Sequence, residues 1–207
     1  MAENPLLVDP AISRIKFERE LAQYRAIEDE HLRRGWWVLS AEFPQLFIVF
    51  ASPRLKPPAV IFGAILDFTN YDFWPPSVTL VNPFTREPYR QKELPTFMKR
   101  RTLRPIPPAV AAIAQSQGQE VPQLESDDPL LQWYSPDDVP FLCVPGVREY
   151  HNHPGHSGDS WLLHRGTGTG TLFFVLDVLY RYGVQPIDGY NIQMIPRIGF
   201  NESVVPE

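Results

Sequence analysis

Twenty-three prolines constrain the fold of this 207-residue chain more than any other feature of its sequence. Each proline fixes its own φ angle and lacks a backbone N–H, which disfavours helix interiors and central strands. Ten of these prolines lie between residues 83 and 140. We therefore expect ordered connections and edge strands in place of a mainly helical bundle, with residues 83–140 forming a long Pro-rich excursion that serves as a functional loop or insertion.

The N-terminal third predicts one helix followed by a sheet. Asp9 and Pro10 suit a helix N-cap and first helical position, Gly35 suits the C-terminal cap, and an amphipathic pattern between them predicts a helix over residues 10–34. Short β-rich runs separated by Pro, Gly and Asn then predict a four-stranded antiparallel meander over residues 36–82. The runs are residues 36–40, 46–51, 59–68 and 77–81.

The remaining segments complete an α+β fold. A short helix is predicted over residues 109–117, inside the excursion, and a C-terminal helix over residues 171–182, where four apolar side chains share one face. A weak strand pattern covers residues 191–195. The length suits one domain over residues 1–207, because a chain of this size buries one substantial core.

Composition excludes several classes of function. A net charge of −5 gives no general attraction to nucleic acid or anionic lipid. The basic run at residues 99–104 is typical of a solvated face. No apolar stretch reaches the roughly 18 residues of a membrane span, no signal peptide is recognisable, and a single cysteine excludes an internal disulfide. We expect a cytoplasmic protein with no nucleic-acid or membrane partner.

The candidate site lies in residues 141–165, since the only cysteine and four of the five histidines fall between residues 143 and 164. If residues 147–153 are extended, Glu149, His151 and His153 share one face, because strand side chains repeat every two residues. Turns around them would bring in two more side chains. The predicted metal ligands are thus Cys143, Glu149, His151, His153 and His156.

Three kinds of chemistry suit this set. Sulfur, imidazole and carboxylate together favour zinc, in a structural or catalytic role. Alternatively, Cys143 is a catalytic nucleophile whose thiolate a neighbouring imidazole generates, with Glu149 or Asp159 orienting that base. A third reading is metal-assisted hydrolysis with Glu149 as the general base. Against all three stands a purely structural reading, in which the histidines bond to the backbone and the cysteine is a small buried side chain.

Two resemblances narrow these readings. The order of helix, meander, excursion and late helix resembles the ubiquitin-conjugating enzyme fold, and the segment YDFWPPSVTLVNP at residues 71–83 resembles that fold's connection into its fourth strand. The pattern Cys143…Glu149…His…His resembles the predicted metal-binding CEHH family of bacterial operons for ubiquitin-like conjugation. These resemblances imply an accessory, metal-binding component of such a pathway, with a ubiquitin-like protein and its activating or conjugating enzymes as partners, and a role in defence against phage.

One departure from the conjugating-enzyme pattern matters. The tripeptide at residues 153–155, His-Pro-Gly, resembles the His-Pro-Asn of conjugating enzymes, but no cysteine follows it. The usual thioester-forming position is therefore empty. If the chain is an active conjugating enzyme, the ubiquitin-like protein must be carried as a thioester on Cys143.

Overall fold

The computed structural model describes residues 6–104, 106–121 and 124–191, and it has a mixed α+β fold. Two helices, α1 (Pro10–Arg25) and α2 (Glu28–Arg34), come first. Four antiparallel strands follow in the order β1-β2-β3-β4, so the predicted four-stranded antiparallel sheet is confirmed. The strands are β1 (Trp36–Glu42), β2 (Gln45–Ser52), β3 (Ala59–Asp67) and β4 (Ser77–Val81).

The helix predicted over residues 10–34 is divided in two. Asp9 begins α1 as expected, because its carboxylate accepts a hydrogen bond from the backbone N–H of Ala11 at 2.9 Å. At Ile27 the backbone leaves the helical conformation, with φ −130° and ψ 31°. The three acidic residues that follow favour a new helix N-terminus, because that end of a helix carries partial positive charge. Gly35 then ends α2 in the left-handed conformation.

The sheet has a different cluster on each face, as the two-residue period of a strand requires. On one face, β2 contributes Leu46, Ile48 and Phe50 to the main core, which also contains apolar side chains of α1, β3 and the C-terminal helix. On the other face, Phe47 and Val49 pack with a valine of β4 in a smaller cluster. The central strands are therefore buried on both sides.

The C-terminal helix, α6 (Leu172–Gly183), closes the main core, and the single-turn helix α5 (Trp161–His164) precedes it. The side chains that the sequence placed on one face are buried: Leu172, Val175, Leu176 and Leu179. Among the residues that the structure describes, no helix is both long and apolar enough to cross a membrane. The strand predicted over residues 191–195 lies, from residue 192 onward, outside the described residues.

The Pro-rich excursion contains more regular structure than the sequence predicted. Two strands, β5 (Lys99–Arg104) and β6 (Leu124–Pro129), pair as an antiparallel hairpin. The expected short helix, α3 (Pro108–Ser116), lies in the connection between them. The basic run lies on β5 and pairs with acidic residues of β6, which explains why no apolar alternation marked these strands. The excursion ends in two short antiparallel strands of two residues each, β7 (Leu131–Gln132) and β8 (Phe141–Leu142). The candidate site begins directly after β8.

Candidate functional site

The segment predicted to be extended, residues 147–153, is instead mostly a short helix, α4 (Arg148–Asn152), followed by a 3₁₀ turn (Pro154–His156). Pro154 explains the end of α4, because the residue before a proline is pushed out of the helical region. The start is fixed by Arg148, whose guanidinium donates to the backbone carbonyls of Pro75 and Thr69 in the connection between β3 and β4. The predicted alternation of three ligands on one face was therefore wrong.

Glu149 turns away from the cysteine and towards β4. Its carboxylate accepts hydrogen bonds from the Ser77 hydroxyl and from the backbone N–H of Val78. Burial raises the pKa of Glu149, and these hydrogen bonds oppose the rise only in part. In this position Glu149 anchors α4 to the sheet, and its carboxylate oxygens are directed at β4.

The Cys143 thiol and the His156 imidazole are the two predicted ligands that lie within hydrogen-bonding distance of each other. Cys143 Sγ lies 3.2 Å from His156 Nε2, within hydrogen-bonding distance for sulfur. Burial raises the pKa of Cys143, although nearby Arg100 opposes this. Burial, followed by the proximity of His153, lowers the pKa of His156. Both shifts favour a neutral thiol beside a neutral imidazole.

His151 links the two loops that carry this pair. Its Nε2 lies 2.6 Å from the carbonyl oxygen of Pro145, in the loop after Cys143. Its Nδ1 lies 2.9 Å from the carbonyl oxygen of Asp159, in the loop after His156. Both ring nitrogens thus face backbone oxygens, and the ring acts as a bridge between the two loops.

His153 lies at the rim of the site. Its Nδ1 accepts a hydrogen bond from the backbone N–H of Gly155 at 3.1 Å, which caps the 3₁₀ turn. The ring lies 5.4 Å from the Phe141 ring and 5.5 Å from the His156 ring, measured between centroids. His153 is therefore near the thiol–imidazole pair without bonding to either member.

A second group of hydrogen-bonded side chains, Tyr150, Asp159 and His164, lies next to His156. The Tyr150 hydroxyl donates to Asp159 Oδ2 at 2.6 Å, and Asp159 Oδ1 lies 2.6 Å from His164 Nε2. Hydrogen bonds from Tyr150 and His164 lower the pKa of Asp159. Burial, with Asp159 adding to it, raises the pKa of Tyr150 to about 12. The phenol is thus held as a donor to an ionised carboxylate.

Of the five predicted ligands, only Cys143 and His156 have side chains within hydrogen-bonding distance of each other. Within residues 6–104, 106–121 and 124–191, no three His, Cys, Asp or Glu side chains are arranged to hold a metal ion. A cavity of about 330 Å³ opens beside His156. His156 and Asp159 contribute polar atoms to its wall, and Phe73, Trp74 and Trp161 contribute aromatic ones.

A model of the Y4jH-like family matches residues 8–187, which include α1, the sheet, the site and α6. The chain belongs to the Y4jH-like family. It is 43% identical over 192 residues to an uncharacterized protein, y4jH, of Sinorhizobium fredii (strain NBRC 101917 / NGR234). That alignment covers 93% of this chain and 92% of the relative, so the similarity extends over nearly the full length of both.

Sequence reasoning missed two residues of the site of this Y4jH-like protein. Tyr150 and His164 were not among the predicted site residues, although both lie inside the segment that the histidine cluster marked. Asp159 was considered as a residue that orients a histidine base, but the structure joins it to His164 and Tyr150. Spacing gives a weak signal only for the contact between Asp159 and His164, because these two residues are five positions apart in the sequence.

Proposed function

We propose that the chain acts as a ubiquitin-conjugating-enzyme-like carrier that holds a ubiquitin-like protein as a thioester on Cys143. The 3.2 Å contact between Cys143 Sγ and His156 Nε2 carries this proposal, because an activated nucleophile requires a base within hydrogen-bonding reach. The proposal selects the nucleophilic reading of the cysteine over the metal-binding one. The cysteine is half-buried and lies in a loop, so a reacting group can approach it.

The fold is consistent with this assignment. As in the conjugating-enzyme fold, a helix precedes a four-stranded meander, and a late helix packs in the same core after a long excursion. Arg148 joins α4 to the connection between β3 and β4, the segment whose sequence resembles that family. The thioester cysteine of this scheme follows β8 and lies ten residues before the His-Pro-Gly tripeptide.

The pKa directions define how the thiol is activated. The pKa of Cys143 is raised and that of His156 is lowered, so the resting pair is a thiol and a neutral imidazole able to accept a proton. His156 takes the thiol proton while the sulfur attacks the thioester carbonyl of the incoming ubiquitin-like protein. A new carbon–sulfur bond forms, the bond to the donor cysteine breaks, and His156 returns the proton to the departing thiolate.

The partners follow from this chemistry. A thioester arriving on another protein's cysteine requires an activating enzyme, and discharge requires an acceptor nucleophile. We assign the chain to a bacterial ubiquitin-like conjugation pathway of the kind implied by the sequence resemblance, including its association with antiphage defence. We place the acceptor nucleophile in the cavity lined by His156, the residue that contacts Cys143 Sγ.

The first experiment uses a thioester of a short peptide ending in Gly-Gly, with mercaptoethanesulfonate as the leaving thiol. Intact-mass spectrometry should show one peptide adduct on the wild-type chain, which hydroxylamine removes. Cys143→Ala should form none. His156→Asn should form the peptide adduct at least about tenfold more slowly than the wild type, as expected for loss of a general base. Tyr134→Leu, which removes an exposed ring at the rim of the site, should match the wild type.

The comparison that decides this proposal is between folded and urea-unfolded wild-type chain. Because every free cysteine exchanges slowly with thioesters, the folded chain must react faster than the unfolded one at the same pH. Equal rates in the two states, or equal rates in wild type and His156→Asn, would refute the proposed role of the pair.

The same pair also suits zinc, which is the second candidate. Zinc bond lengths to sulfur and nitrogen at a tetrahedral angle place the two ligand atoms about 3.5 Å apart, and here they lie 3.2 Å apart. In that scheme the chain is a metal-binding accessory component of the pathway. Elemental mass spectrometry on untagged protein decides this: about one zinc per chain, lost in Cys143→Ala and His156→Ala, supports it, and metal-free wild type refutes it.

A further inference from the structure

The His156 ring is oriented mainly by an aromatic neighbour. In the described parts of the chain, Cys143 Sγ is the one hydrogen-bond partner of this ring. A histidine base is more commonly oriented by a hydrogen bond at its second nitrogen. Here the ring lies flat on Tyr150 instead, with the centroids 3.8 Å apart and an interplanar angle of 20°. The direction of Nε2 therefore depends on the position of the Tyr150 ring.

The Tyr150 ring is itself held at its far end. Its hydroxyl donates to Asp159, and the other oxygen of Asp159 contacts His164, both at 2.6 Å. Hydrogen bonds to an ionised acceptor are short and about twice as strong as neutral ones. Asp159 follows His156 by three residues in the same loop, so this contact also ties the base's loop to α4.

We infer that Tyr150 is a positioning residue for His156, and that Asp159 and His164 hold Tyr150 in place. The inference rests on the proposed function, because it names the residue that aims the base at the thiol. Tyr150 itself touches neither the sulfur nor an incoming carbonyl in this scheme. Its effect on the reaction passes through the orientation of the His156 ring.

The test measures alkylation of the full-length chain by iodoacetamide between pH 6 and 9. The chain has one cysteine, so intact-mass spectrometry reports only on Cys143. With His156 in place, the rate should change little above the lowered pKa of that histidine. Without it, the rate should follow ionisation of a thiol whose pKa is raised, rising about tenfold per pH unit.

Tyr150→Leu removes the ring and should shift the pH profile to that of His156→Asn, with about a tenfold lower rate at pH 7. In the His156→Asn background, Tyr150→Leu should have no further effect, because the two residues act as a unit. The matched control is Tyr134→Leu, which removes an exposed tyrosine whose ring centroid lies 6.1 Å from that of His153. That variant should keep the wild-type profile.

A wild-type profile in folded Tyr150→Leu, or effects of the two substitutions that add independently, would overturn the inference. Circular dichroism and the urea midpoint establish folding. If Tyr150→Leu does not fold, Tyr150→Phe decides, since it keeps the ring and loses only the hydroxyl. If the alkylation rate of Tyr150→Phe equals that of the wild type, Asp159 does not hold the Tyr150 ring in place. A rate about threefold lower would support that role of Asp159. Alkylation needs no thioester, so a failed peptide transfer and a failed positioning role remain distinguishable.

Discussion

Replacing His151 by phenylalanine should loosen the site, because His151 joins its two loops. Phenylalanine keeps a ring of similar shape beside Tyr150 and Trp161, whose centroids lie 5.0 and 5.8 Å from that of His151. The substitution removes the contacts of the two ring nitrogens with the Pro145 and Asp159 carbonyls. A neutral imidazole has one N–H and donates to only one of these two acceptors at a time. Losing that bond and leaving a half-buried carbonyl without its partner should lower the free energy of unfolding by about 2 kcal/mol.

Urea denaturation measures this loss. With an m value of about 2 kcal/mol/M, a loss of about 2 kcal/mol lowers the midpoint by about 1 M. The control is His153→Phe, whose histidine makes one exposed hydrogen bond to a backbone N–H two residues away and should cost about 0.5 kcal/mol. Midpoints that fall equally in the two variants would refute the bridging role of His151. The rate of Cys143 alkylation should also fall further in His151→Phe than in His153→Phe, since only His151→Phe frees the two loops.

Three further substitutions test how the fold positions the site. Burial raises the pKa of Glu149, so the folded state binds its proton more tightly and stability should fall as pH rises from below about 4.3, the unfolded value, through the folded pKa. Glu149→Gln should flatten that fall in urea midpoints measured from pH 4 to 7; an unchanged slope would contradict the assignment. Gly35→Ala should cost more than about 1 kcal/mol, because φ is +86° and a Cβ would lie 2.2 Å from the Ala51 carbonyl oxygen; a thermal midpoint equal to wild type would contradict this. Thr171→Ala removes the hydroxyl that caps α6 at Phe174 and should cost about 1 kcal/mol, restored in part by Thr171→Ser.

The sheet and the C-terminal helix were predictable because their apolar periods reflect burial directly. Leu46, Ile48 and Phe50 alternate in sequence and all face the same core. Leu172 and Leu176 likewise recur at helical spacing on the buried face of α6. In contrast, the hairpin of β5 and β6 is held by pairs such as Arg101 with Glu125, and opposite charges leave no hydrophobic period to detect.

The geometry of the candidate site was not predictable from its sequence. A cluster of cysteine and histidines marked the segment as a candidate, but the helical conformation of α4 depends on a buried arginine whose carbonyl partners lie more than 70 residues earlier. No local pattern in residues 147–153 contains that information. The same contact directs Glu149 towards Ser77 and thereby separates it from the histidines. Long-range tethering, not local preference, decided which candidate ligands meet.

Under the proposed function, the raised pKa of Cys143 affects the two halves of the reaction differently. A thiol that is largely protonated at rest is a poor target for oxidants, which react with thiolates, so the free chain is protected until His156 removes the proton. After loading, the same property makes Cys143 a slower leaving group, because thiolates of higher pKa depart less readily. Burial of one cysteine therefore favours a carrier that retains its cargo until an acceptor arrives, and His156 must assist both loading and release.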